Sequence, residues 1–225
     1  METSASEPVP HLRISQPRPK HLLFAFIGLM YAYVLWSNES FLFRPRDPEW
    51  LHIESFKLWL LPHGLAAACA LFLGPLQFSD RLRLRFTRLH RIGGRLYIAG
   101  VFLGAPLGIY IQYFEERMGG PRSFTIAAAA DAALWILTTS VALAFIRQRK
   151  IQQHRQWMTR SFACAIIFLE VRVILGVTGW QRYAETIVWA CVAAAVPLAD
   201  LVLQWQDSYR ARAISVKASA RLTEI

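Results

Sequence analysis

The chain has 225 residues, 55% of them hydrophobic, and a formal net charge of +10. That composition leaves little outside a membrane beyond tails and short loops, and one membrane domain is the expectation. The basic excess suggests nucleic acid at first sight, but its distribution along the chain argues against that partner.

Residues 1–20, with Pro8, Pro10, Pro17 and Pro19, read as a flexible tail. Six apolar stretches follow, at 21–37, 57–79, 96–114, 124–146, 157–178 and 184–205, each near the ~20 residues that cross a ~30 Å hydrocarbon layer. The first could be a cleaved leader, but it runs into Trp36-Ser37-Asn38-Glu39 with no small-x-small cleavage site, so it is read as a span. Leu65 to Phe78 and Ala132 to Ile146 carry no charge on any helical face, as lipid-facing helices require. The predicted fold is an all-α, polytopic bundle of six transmembrane helices over 21–205, followed by a basic tail at 206–225.

Charge sets the orientation. Basic residues crowd the N-terminal tail, the connection from Arg81 to Arg95, that from Arg147 to Arg160, and the C-terminal tail. The alternate connections carry only Arg44, Arg46, Lys57, Arg117, Arg122 and Arg182. By the positive-inside bias both termini are cytoplasmic, in the cell (inner) membrane, with the basic loops beside anionic lipid headgroups. Nucleic acid is not needed to account for them.

Within the spans, Gly100, Gly104 and Gly108 recur every four residues, a ridge on which a neighbouring helix can pack closely. The same spacing could give a flat cofactor or a lipid tail a smooth wall. Pro62, Pro75 and Pro106 weaken helical hydrogen bonds and predict kinks. Cys69, Cys164 and Cys191 all fall in spans, form no metal-ligand spacing and offer no disulfide framework, so structural zinc is not expected.

Ionisable residues fall in two layers. His63, Asp131 and Arg172 each lie six or so residues inside a span, ~9–10 Å below the outer surface. Charges at that depth call for a paired or wetted interior setting, so the three are read as an outward-opening ligand pocket or a structural ion pair. Glu170, two residues from Arg172, should point to nearly the opposite face. In the inner layer His90 and His154 each precede an arginine and open a helix that starts on the cytoplasmic side, with Arg91, Arg95, Arg155 and Arg160 around them and Asp200 near the same surface. Two facing histidines could be axial ligands to the iron of one b-type haem, the arginines meeting its propionates. Interfacial histidines bonded to lipid phosphate or a helix end are the plain alternative.

The segments His63-Gly64 to Gly74-Pro75-Leu76-Gln77, His90-Arg91-Ile92-Gly93-Gly94-Arg95-Leu96-Tyr97 and His154-Arg155-Gln156-Trp157-Met158-Thr159-Arg160-Ser161 resemble an uncharacterised family of bacterial membrane proteins, the domain of unknown function 2306, over roughly residues 55–178. The resemblance implies a multi-span fold and brings no activity. A weaker likeness is to six-helix di-haem cytochrome b proteins, but the count of membrane histidines excludes two bis-histidine haems. His52 belongs to the first external loop, and His11 and His21 to the N-terminal region.

Three functions follow as expectations. They are electron transfer through one haem at His90 and His154, a small-solute or proton-coupled transporter or receptor using His63, Asp131 and Arg172 (as a homodimer), and a non-catalytic membrane scaffold.

Overall fold

The computed structural model describes residues 19–37, 40–44 and 46–222. The expected N-terminal tail up to residue 18, His11 included, and residues 223–225 lie outside the described residues, as do the side chains of Arg210, Lys217 and Arg221.

All regular structure among the described residues is helical: α1 Pro19–Ser37, α2 Glu49–Ile53, α3 Lys57–Gln77, α4 Asp80–Arg85, α5 Thr87–Arg117, α6 Arg122–Arg147, α7 Ile151–Thr178 and α8 Ala184–Leu222, with 3-10 turns at Ser40–Phe43 and Gln181–Tyr183. Five helices (α3, α5, α6, α7 and the first part of α8) are long and apolar enough to cross a membrane, and α1 supplies a shorter apolar stretch, His21–Ser37. The expected spans are helical except for Phe78 and Ser79 at the end of the second, and three helices outrun them. α5 starts at Thr87 rather than near 96, α7 at Ile151 rather than 157, and α8 continues through the basic segment to Leu222. Arginine and lysine are good helix formers, so the helix persists past the apolar stretch that a membrane needs.

Turn chemistry reverses the chain between helices. Ser79 caps α4 by accepting from the Leu82 amide at 3.3 Å, and Asp80 pairs with Arg83 at 2.9 Å. Gly119 (φ 104°) precedes Gly120 and Pro121 between α5 and α6, Arg149 (φ 59°) makes the tight α6–α7 turn, and Gly179 (φ 68°) ends α7 in the left-handed conformation. That conformation suits glycine and strains arginine.

Successive long helices are antiparallel neighbours, α3 on α5, α5 on α6, α6 on α7 and α7 on α8, while α1 lies against α7 and α3. The glycine ridge explains the closest of these contacts. A Cβ on Gly100 would stand 2.5 Å from the Ala66 carbonyl oxygen, and one on Gly104 would meet Ala66 at 3.5 Å, so α5 lies backbone to backbone on α3. The ridge is thus a packing surface. Outside the span ends, the 40–56 segment folds into a small apolar cap in which Ile53 and Phe56 bury against Ile111 of α5.

Candidate functional site

Three polar levels lie along the bundle. The middle one is a closed circuit of hydrogen bonds joining α5, α6 and α7. The Tyr97 hydroxyl and Ser161 Oγ are 2.8 Å apart, Ser161 Oγ and Thr139 Oγ1 2.7 Å, Thr139 Oγ1 donates to the Trp135 carbonyl at 2.7 Å, and Trp135 Nε1 donates to the Tyr97 hydroxyl at 3.3 Å. An indole N–H only donates and a carbonyl only accepts. The direction of the whole circuit is therefore fixed: Trp135 to Tyr97 to Ser161 to Thr139 and back to Trp135. All four residues are buried. Each hydroxyl gives one bond and receives one, so the circuit is saturated and serves as a clamp between helices. Tyr97 and Ser161 stand seven residues after His90 and His154, two helical turns along the same faces. The repeated motif thus encodes a buried lock as well as its polar head.

Below the clamp, His90 and His154 are each the fourth residue of their helices, as the motif implied. His154 Nδ1 donates to the Ala142 carbonyl at 2.9 Å, which leaves Nε2 as the acceptor nitrogen. His90 Nδ1 is buried without a hydrogen-bond partner, and His90 is within electrostatic reach of Arg83 and His154. The histidines therefore share one level. Their arginines do not converge with them. Arg160 binds Asp200 through Nε and a terminal nitrogen, both at 2.8 Å, and lies over the Trp157 ring at 4.7 Å, while Arg91 and Arg95 are exposed. Arg155 lines a cavity of about 120 Å³ with Asp80, Asp207 and the apolar Phe24, Phe78 and Phe162, and neither histidine belongs to that lining. Cofactor-sized sites begin near ~300 Å³. The Tyr97–Ser161 bond also ties α5 to α7 directly above the histidines. The arginines expected to meet haem propionates therefore do not gather around the two histidines.

The upper level, at the end of the bundle opposite the basic connections, departs from the expected trio. Asp131 and Arg172 do line one cavity, about 460 Å³ in volume, between α6, α7 and α8 and the end of α5, but His63 is not among its walls. His63 Nδ1 donates to the Gly104 carbonyl at 2.9 Å, and its ring fills the space left by Gly108. Matching depth had grouped the three residues, but α3 sits on the far side of α5 from α6, so equal height does not bring His63 to the others. Glu170, two residues from Arg172, is absent from the cavity walls but within electrostatic reach of Asp131, Cys164 and Cys191, because α7 is flanked by both α6 and α8. Asp131 Oδ1 is buried with no hydrogen-bond partner. The Arg172 guanidinium lies on the Phe168 ring, 4.3 Å from its centroid.

The cavity walls combine apolar Phe124, Ile167, Phe168, Val188 and Val192 with a carboxylate, a guanidinium and the amides of Gln112 and Gln181. Such an arrangement can hold a small molecule with an apolar body and fix its polar ends. Among the described residues, no cluster of three or more His, Cys, Asp or Glu side chains could hold a metal ion.

Fold and site together define an all-helical integral membrane protein. The chain belongs to the family described as predicted membrane protein (DUF2306), which matches residues 60–203 and so extends beyond the three motifs into the first half of α8. No curated protein and no solved structure gives a match.

Proposed function

We propose that this protein is a six-span receptor or carrier that captures a small solute from the outer side of the cell membrane, in the cavity lined by Asp131 and Arg172. The observation that carries the reading is Asp131 itself: a buried carboxylate oxygen without a partner borders a cavity large enough for a solute. A membrane-embedded ionisable group is costly unless it has a role, and a ligand group supplies the missing partner. Orientation follows from charge. The connections near α4 and between α6 and α7, together with the two tails, hold 18 of the 25 arginines and lysines, so that face and both termini are cytoplasmic, against anionic headgroups. α1, with 19 residues, is about 28 Å long and serves as the sixth span. A carrier of six spans would work as a homodimer, whereas a receptor could act alone.

The test is a thermal-stability screen of the detergent-purified protein against a library of small charged and amphiphilic solutes, run beside Ala128→Trp, which fills the cavity. Genuine ligands raise the melting temperature of the wild type and lose that effect in the filled variant. A library without hits, or hits indifferent to the tryptophan, would sink the proposal.

A further inference from the structure

Negative charge at the outer cavity exceeds the positive charge beside it. Asp131 stands nine residues into α6, about 13 Å along it, and Glu170 eight residues before the end of α7, about 12 Å from that end. The two carboxylates therefore lie at one depth on neighbouring helices, within electrostatic reach of each other. Asp131 borders the cavity, and its buried Oδ1 has no hydrogen-bond partner, whereas Glu170 acts from outside the walls. Like charges in a low-dielectric setting repel, and a positive charge between them relieves the repulsion. The neighbouring groups do not supply it in full. Arg172, six residues before the end of α7, is nearer the mouth by about 4 Å, and its guanidinium is already engaged, over the Phe168 ring at 4.3 Å. Cys164 and Cys191, within reach of the carboxylates, bring no positive charge. α5 presents the neutral Gln112 to the cavity, and Arg122 and Arg182 are exposed at the outer end of the bundle. Two carboxylates against one guanidinium leave one negative charge over.

From this imbalance we infer that the solute is a cationic amine, a single protonated amino group on an apolar body. This inference rests on the solute-binding reading above. The ammonium group goes inward and donates to Asp131 Oδ1, supplying the bond that this oxygen lacks, and Glu170 adds attraction without contact. The apolar body lies against Phe124, Ile167, Val188 and Val192. The volume of about 460 Å³ equals that of about fifteen waters at ~30 Å³ each, ample for a body of about ten non-hydrogen atoms. A bare metal ion fits poorly, because it calls for several oxygen ligands and no cluster of three or more His, Cys, Asp or Glu exists among the described residues. A proton alone would balance the charge but needs no cavity. A zwitterion or an anion would leave the excess negative charge in place.

Three probes of one shape separate charge from size: phenethylamine, the neutral 2-phenylethanol and the anionic 3-phenylpropanoate. Binding to the full chain in phosphatidylcholine nanodiscs is measured by calorimetry, with empty nanodiscs as the blank for partition into lipid. Phenethylamine should bind at least about tenfold more tightly than either other probe, as a hydrogen bond between charged groups implies. Asp131→Asn should bring phenethylamine down to the level of the alcohol, and Glu170→Gln should weaken it by about two- to threefold, since that carboxylate acts at a distance. The comparison on wild-type protein needs no variant, so a misfolded substitution does not spoil it. Equal binding of amine and alcohol, tighter binding of the acid, or displacement of the amine by sodium at equal concentration overturns the amine while leaving a solute site in place. Failure of all three beside a library hit that lacks an amine, and that Ala128→Trp removes, does the same. If the hits that Ala128→Trp removes are all amines, the class stands with a different body. Failure of all three with no such hit overturns both readings.

Discussion

Tyr97→Phe removes one oxygen and should loosen three helices. In the circuit that oxygen accepts from Trp135 Nε1 at 3.3 Å and donates to Ser161 Oγ at 2.8 Å. Its loss leaves a buried indole N–H without an acceptor and takes the donor away from a fully buried serine. An orphaned buried donor costs about 1–3 kcal/mol in water-soluble proteins. Interhelical hydrogen bonds in membranes average ~0.6 and reach ~1.7 kcal/mol, because the unfolded chain finds partners too. The Trp135 bond is long and the Ser161 bond short, so the expected loss is about 1–2 kcal/mol, most of it at Ser161. Ser161→Ala breaks the middle link and should cost a similar amount. Once either is broken the circuit is open, so the double variant should fall short of additivity by about 0.5–1.5 kcal/mol. Reversible unfolding in mixed detergent micelles, followed by helical circular dichroism, measures all three, with the exposed Tyr113→Phe as control. Tyr97→Phe within about 0.5 kcal/mol of wild type, or strict additivity, would refute the circuit.

The glycine ridge predicts a ranking. Gly100→Ala places a methyl 2.5 Å from the backbone oxygen of Ala66 and should cost about 1–3 kcal/mol, whereas in Gly93→Ala the methyl meets only the Gln77 side-chain amide, which can swing aside. Gly28→Ala meets nothing within 4 Å and should be neutral or stabilising, so melting temperatures in the order Gly28, Gly93, Gly100 variants, highest first, check the packing, and a reversed order contradicts it. Protein purified from haem-replete cells should show no Soret band. A band with sharp reduced α and β maxima that is lost in a His90→Ala, His154→Ala variant would overturn the account of the inner layer.

Hydropathy made the spans legible, because a lipid-facing helix has no reason to carry charge, and four-residue spacing made the glycine ridge legible, because it places Gly100, Gly104 and Gly108 on one face. Helix ends were less so. Arg88, Arg91 and Arg95 hide the start of α5 from a hydropathy reading although the backbone is helical from Thr87. In the site, counting residues from a span end gives height but not azimuth. That sufficed for His90 with His154 and for Asp131 with Arg172, and it failed for His63, which faces α5. Glu170 was set aside for pointing away from Arg172, yet a helix with neighbours on both sides can turn two faces inward. The clamp carried a readable sign: Tyr97 and Ser161 each follow a motif histidine by seven residues, on the same helical face. Thr139 and Trp135 had no comparable mark, since their partners come from other helices.

α8 has 39 residues, which makes it roughly 58 Å long, almost twice the hydrocarbon thickness of a bilayer. Val188 and Val192 near its start line the large cavity, Gln206 and Asp207 further along line the smaller one, and the helix continues to Leu222. Pro197 lies between them, at a point where one backbone hydrogen bond is missing and bending is easiest. From Pro197 to Leu222 the helix extends about 37 Å, so a tilt of only about 5° at the proline sweeps its tip through about 3 Å. A sub-ångström adjustment beside the cavity becomes, at the end of that rod, a displacement the size of a hydrogen bond.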